Sequence, residues 1–230
     1  MIFLTKYGLR EWLGGALIAA PVVAALIVLA IVFNFWWMYF PAAFVFLLWL
    51  SIAAFFRDPV RVIPDEADIL VSPADGHIKD IKILKNSEYS DFFEGKPVLM
   101  IGIFLSVLDV HLNRAPCPIT VSEIIYKEGK YYDARDERAS NENESNTLLC
   151  KVDDGKNKFP IAIKQISGAI ARRIVCPVRP KDKFLIGEKF GMIKFGSRTE
   201  LHLQADQPIE LLVKEGEKVS AGSTIIARIK

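Results

Sequence analysis

The chain has 230 residues, a formal net charge of +2 and three cysteines. Its lysines and arginines are scattered among acids without a basic stripe, which argues against a nucleic-acid surface, so no nucleic acid is expected as a partner. Cys117, Cys150 and Cys176 are odd in number and lack Cys-x-x-Cys spacing; this speaks against zinc ligation and a disulfide framework and suits reduced thiols, with no metal expected.

No Asp, Glu, Lys or Arg occurs in residues 12–56. As one helix this stretch would run roughly 68 Å, far beyond a hydrocarbon core of about 30 Å, so it reads as two helices over 12–33 and 35–56. Asn34 and the aromatic run Phe35-Trp36-Trp37-Met38-Tyr39 would sit at the far interface, where amphipathic rings prefer to lie. Lys6 and Arg10 precede the pair and Arg57 and Arg61 follow it. Basic flanks on both sides put both ends in the cytoplasm, giving a cell-membrane hairpin (1–56) and a cytoplasmic catalytic body (57–230). The apolar stretch is too long for a signal peptide. Pro21 and Pro41 leave a re-entrant or interfacial course as the alternative to spanning.

The segment 55–64 reads as a linker because its two prolines disfavour helix before them. Beyond it, β-branched runs at 69–71, 98–105, 161–166, 209–213 and 224–229 are separated by Gly, Pro, Asp and Asn, the punctuation of an antiparallel β fold. Residues 133–146 form the one expected helix or long loop, with 138–144 too polar for a core. Near the C-terminus, Gly216 and Gly222 bracket Val219 before an apolar strand, as in barrel-sandwich hairpins of the lipoyl and biotinyl kind. The expected fold is therefore a mainly β, barrel-sandwich-like domain with α+β elements behind a two-helix membrane hairpin.

Three segments carry residues suited to chemistry: Lys194-Phe195-Gly196-Ser197-Arg198-Thr199, Ser72-Pro73-Ala74-Asp75-Gly76, and Asp109-Val110-His111-Leu112-Asn113-Arg114-Ala115-Pro116. A serine is a weak nucleophile and needs a base within hydrogen-bond reach, itself oriented by a third group. Ser197, His111 and Asp75 supply those types, in the logic of a Ser-His-Asp relay. Gly196 is the small residue whose carbonyl can be approached closely. Each also has a plainer reading, as a turn serine, a loop histidine bonded to backbone and an Asp-Gly turn. His77 is the reserve base, and His202 reads as strand-borne and structural.

Together with 55–64, 166–174 and 190–198, these segments resemble the phosphatidylserine decarboxylase family in its compact bacterial and archaeal form, in the family's order along the whole body. The resemblance implies a carboxy-lyase made as a zymogen that cuts itself at Gly196-Ser197 into chains 1–196 and 197–230, which stay together as a heterodimer. Ser197 would become a covalent pyruvoyl group, with Asp75 and a histidine assisting. Its ketone would form an imine with the amine of phosphatidylserine, a membrane lipid, and act as electron sink while CO2 leaves to give phosphatidylethanolamine. Some longer members carry a second histidine three residues beyond the first, where this chain has Arg114, which cannot act as a base. Either His111 or His77 then activates Ser197. Arg172, Arg173 and Arg198 are candidates for a lipid phosphate or for surface ion pairs. A pyruvoyl decarboxylase for a soluble amino acid is disfavoured by the hairpin. A membrane-tethered carrier module is disfavoured by the glutamates beside Lys214 and Lys218.

Overall fold

A computed structural model describes residues 2–152, 156–169, 173–194 and 196–230. The chain divides into two compact units, residues 1–60 and 61–230.

In the first unit, strand β1 (Ile2–Leu4) precedes helix α1 (Leu9–Val32) and helix α2 (Tyr39–Phe55), and β2 (Arg57–Pro59) closes back antiparallel on β1. Part of the expected linker is thus a strand. Helix α1 runs unbroken through Pro21. Pro41 lies in the first turn of α2, where the missing N–H would have no intrahelical acceptor. A left-handed Asn34 (φ 51°) reverses the chain between them, and the Trp49 indole N–H donates to the Trp12 carbonyl (3.0 Å). Both helices are long and apolar enough to cross a membrane. Leu17, Ile18, Phe40 and Phe44 are exposed on them, as lipid-facing residues are.

The second unit is mostly β. Its strands are β3 (Ile69–Val71), β4 (Gly76–Leu84), β5 (Val98–Leu105), β6 (Leu112–Arg114), β7 (Ile119–Lys127), β8 (Ser145–Val152), β9 (Pro160–Ile166), β10 (Ile174–Val175), β11 (Lys183–Phe184), β12 (Lys189–Ile193), β13 (Ser197–Gln204), β14 (Ile209–Leu211), β15 (Lys218–Val219) and β16 (Ile225–Ile229). An antiparallel eight-stranded sheet runs β11-β7-β8-β9-β13-β5-β4-β15, with three-stranded sheets β10-β12-β6 and β14-β16-β3 beside it. One core joins Leu70 and Ile226 of the small sheet to Ile101, Ile103, Leu148, Ile163, Leu201 and Leu203 of the large one. Burial of such side chains, each worth about 1.5–3 kcal/mol, drives the packing.

Helix α3 (Glu137–Glu142), capped by the Asp136 carboxylate on the Arg138 N–H, occupies the polar stretch. Contrary to the expectation for 138–144, Ala139 and Asn143 are buried there. The Asn143 side chain accepts from the Tyr132 N–H (2.8 Å) and donates to the Tyr132 and Ser167 carbonyls, so its burial leaves no amide group unpaired.

Candidate active site

Ser197 opens β13, which lies between β9 and β5 in the interior of the large sheet. Its side chain is fully buried, and its hydroxyl has no hydrogen-bond partner among the described residues. A buried hydroxyl left unpaired costs about 1–3 kcal/mol, so its place calls for an account, of which a role in chemistry is one. Arg198 pairs with Ile166, so Ser167 comes level with Ser197 across the strand pair. The Ser167 hydroxyl is likewise buried and without a partner.

Gly196 holds a left-handed backbone (φ 64°) at the mouth of the strand, a conformation that a glycine adopts without penalty. Gly168 leans against it: a Cβ at 168 would collide with the Gly196 carbonyl oxygen. Gly168, just beyond β9, is what lets the chain there press on the Gly196 carbonyl. Phe195 and Arg172 lie outside the described residues.

His111 immediately precedes β6 and is fully buried. The Gly196 N–H donates to its Nε2 (3.0 Å), and its Nδ1 lies 2.9 Å from the Asp109 carbonyl. An acceptor at Nε2 requires the proton on Nδ1, so the imidazole is neutral with its lone pair turned to the Gly196-Ser197 segment.

Asp75 stands in the turn before β4. His77 pairs with Phe104, bringing Gly76 level with Leu105, while Ser197 pairs with Leu105 from the other side. Two strand spacings, about 10 Å, therefore separate Gly76 from Ser197. The Asp75 carboxylate accepts from Arg61 (2.6 Å) and from the Ala221 N–H (2.7 Å). The structure thus brings His111 onto the Gly196 N–H and turns Asp75 to Arg61 and Ala221. The Pro73 carbonyl, accepting from the Arg114 N–H (2.9 Å), ties the Asp75 turn to the His111 strand. Arg114 itself donates to the Gly187 carbonyl (2.9 Å). His77 is exposed on β4, and His202 is buried on β13.

A buried amide chain links four strands beside Ser197. Asn146 donates to Gln165, Gln165 to Asn113 (2.8 Å), and Asn113 to the Thr199 hydroxyl (2.9 Å), on the same face of β13 as Ser197. On the opposite face, Arg198 crosses Gly102 to form a two-pronged pair with Asp80 (2.8 and 2.9 Å) and bonds Glu200 (2.7 Å). A Cβ at 102 would meet the ends of the Arg198 and Asp80 side chains, so a larger residue there would displace this pair. Burial alone would raise the Glu200 carboxyl, but His202, Arg198 and Lys164 hold it well below its usual range. Arg198 is thus committed to carboxylates and is not free for a lipid phosphate. Burial pushes the Cys150 thiol up to about 12 and that of Cys176 to about 11, so neither is a thiolate at neutral pH.

Next to Gly196 opens a pocket of about 310 Å³, lined by Phe104, Val107, Ala134, Ala169 and Gly196, with Asp133 and Arg135 also on its wall. Arg135 forms a two-pronged pair with Asp133 (2.7 and 3.0 Å) and holds that carboxyl down at about 2.

Known proteins resemble the chain over most of its length. A sequence profile described as phosphatidylserine decarboxylase matches residues 50–227. A phosphatidylserine decarboxylase proenzyme of Carboxydothermus hydrogenoformans is 42% identical over 205 residues, covering 89% of this chain and 90% of that one. The protein of the same name from the Wolbachia of Brugia malayi is 44% identical over 175 residues, 76% of this chain and 74% of its own. That of Rhodopirellula baltica is 41% identical over 204 residues, 88% and 81% respectively.

Proposed function

The chain belongs to the phosphatidylserine decarboxylase family, and on that premise we propose that it cuts itself between Gly196 and Ser197 and then decarboxylates phosphatidylserine to phosphatidylethanolamine. The observation that carries this reading is the buried, unpartnered Ser197 hydroxyl. It adjoins a carbonyl backed by Gly168 and a peptide N–H held by His111.

In the first phase, His111 exchanges the Gly196 N–H for the Ser197 hydroxyl and takes its proton at Nε2. The Ser197 oxygen adds to the Gly196 carbonyl carbon, and the peptide C–N bond breaks as the amine leaves with that proton, giving an ester. Loss of the Ser197 α-proton then expels Gly196 as a carboxylate and leaves dehydroalanine at 197. Water converts this to the pyruvoyl terminus with release of ammonia. The Asp109 carbonyl fixes the ring throughout, as the orienting group of a relay does. Asp75 acts from its place against Arg61 by holding the turn that carries it.

The residues fit a pyruvoyl group: position 197 is buried, and the unpaired Ser167 hydroxyl stands level with it. Once formed, such a group supplies the electron sink for the departing CO2. In the second phase, the Phe104, Val107 and Ala169 wall takes the substrate headgroup, with the Asp133-Arg135 ion pair on the rim of the pocket. At about 310 Å³ the pocket lies at the lower end of ligand-site volumes, room for a headgroup with the acyl chains outside. We place the second unit on the cytoplasmic face of the cell membrane, because basic residues flank both ends of the hairpin.

Mass spectrometry of the full chain purified in detergent tests the reading. The expected products are 1–196 and a smaller chain starting with a pyruvoyl-blocked residue 197, while Ser197→Ala stays whole and inactive on phosphatidylserine. A parent chain that decarboxylates the lipid while still in one piece would sink the proposal.

A further inference from the structure

The geometry points to the turn between β5 and His111, residues 106–109, as a tip that dips into the surface of the phospholipid bilayer and sets the pocket mouth at the lipid. Leu108 at its apex is 83% exposed and Val107 44%. Water gains nothing from two adjacent apolar side chains on a tight turn; a bilayer interface does. The turn is built to lose water. Asp109's carboxylate accepts the Ser106 N–H (2.8 Å), the Ser106 hydroxyl oxygen accepts the Leu108 N–H (3.2 Å), and the Ser106 carbonyl accepts the Asp109 N–H (2.9 Å). Three of the turn's four backbone N–H groups are thus satisfied within the segment, which lowers the cost of leaving water for a lipid surface.

Continuity with the site selects the bilayer as occupant. Val107 lines the pocket that ends at Gly196 and Leu108 does not, so a headgroup entering there leaves its acyl chains beside Val107, with the Leu108 apex in the surrounding bilayer. A protein partner needs about 800 Å² on each side, far more than two side chains offer. The same turn supplies the Asp109 carbonyl that faces His111 Nδ1, so the lipid-contacting tip and the catalytic histidine share one short segment. The inference rests on the proposed activity toward a bilayer lipid.

The test uses the full chain reconstituted in vesicles of phosphatidylcholine and phosphatidylserine with brominated acyl chains. A nitrobenzoxadiazole probe on Leu108→Cys should be quenched by the bromines, and the same probe on Leu185→Cys, another exposed leucine, should not. Leu108→Ser should raise KM for phosphatidylserine in vesicles roughly tenfold, the loss of one buried leucine, with kcat unchanged. Its turnover of monomeric dihexanoyl phosphatidylserine and its self-cleavage should match the parent. An unquenched probe at 108, equal quenching at 185, or equal loss on vesicles and monomers would overturn the inference. A quenched probe in a chain that decarboxylates neither form would instead overturn the proposed function.

Discussion

Replacing Gly168 with alanine probes the proposed cut without touching a reactive group. A Cβ there would meet the Gly196 carbonyl oxygen, backbone against backbone, at less than any real Cβ contact. Neither side is the free end of a flexible side chain, so the carbonyl must retreat by about an ångström, and a misplacement of that size costs on the order of 10²-fold in rate. Overpacking also lowers stability by about 1–3 kcal/mol. Gly196→Ala is the matched control. Its Cβ would find its nearest neighbour, Val107 Cγ2, at 3.7 Å, so space is ample, but the φ of 64° is unfavourable for alanine, by about 1–2 kcal/mol. A pulse-chase of newly made chain on denaturing gels should show Gly168→Ala cutting about 100-fold more slowly than the parent. Gly196→Ala should lose comparable stability with a much smaller kinetic effect. If Gly168→Ala cuts within threefold of the parent, the carbonyl is not held by that contact and the argument fails.

His111→Gln keeps an acceptor for the Gly196 N–H but no base, so it should fold, melt near the parent temperature and cut at least 10²-fold more slowly; normal cutting would transfer the role to His77. Asp75→Asn and Arg61→Met both loosen the pair that holds the Asp75 turn and should slow cutting to a similar, mild extent; a much larger loss in Asp75→Asn would show that the carboxylate acts beyond that pair. Glu200's folded carboxyl lies below its usual 4.5, so its contribution is fully present above pH 4.5 and is lost as pH falls below that value. Glu200→Gln should therefore flatten the fall in melting temperature below pH 4.5, and an unchanged slope there would show that the Arg198-Glu200-His202 cluster is not linked to stability.

Much of the fold was legible because its strands are apolar runs. The stretches 69–71 and 98–105 match β3 and β5 residue for residue, since both are buried along most of their length. By contrast, Ser197-Arg198-Thr199-Glu200-Leu201-His202-Leu203-Gln204 is mostly polar and is not among the apolar runs, yet every residue of β13 is buried. Its charges are neutralised from β4 through Asp80 and among themselves, and no local pattern reveals a partner more than a hundred residues away. The same holds for Lys164, buried against Glu88 and the Ser140 carbonyl. At the site, nucleophile and base types could be read from the sequence. The Asp109 carbonyl facing His111 and the close approach of Gly168 could not, because a backbone acceptor and a missing side chain leave no chemical signature. The amide chain Asn146-Gln165-Asn113-Thr199 left a faint one, a glutamine inside the apolar run of β9.

The middle of the large sheet leaves the ribosome ahead only of its short edge strand β15. Strands β4, β5, β7, β8 and β9 are all synthesised before β13, which must then slot between β9 and β5. Until it does, two facing edges stand open, and the polar face that Arg198 brings to Asp80 is unmatched. Gly196 meets His111 and Gly168 only when that gap is closed. The proposed scission therefore waits for β13 to seat between β9 and β5, and a chain that stalls or misfolds before that step does not acquire its reactive terminus.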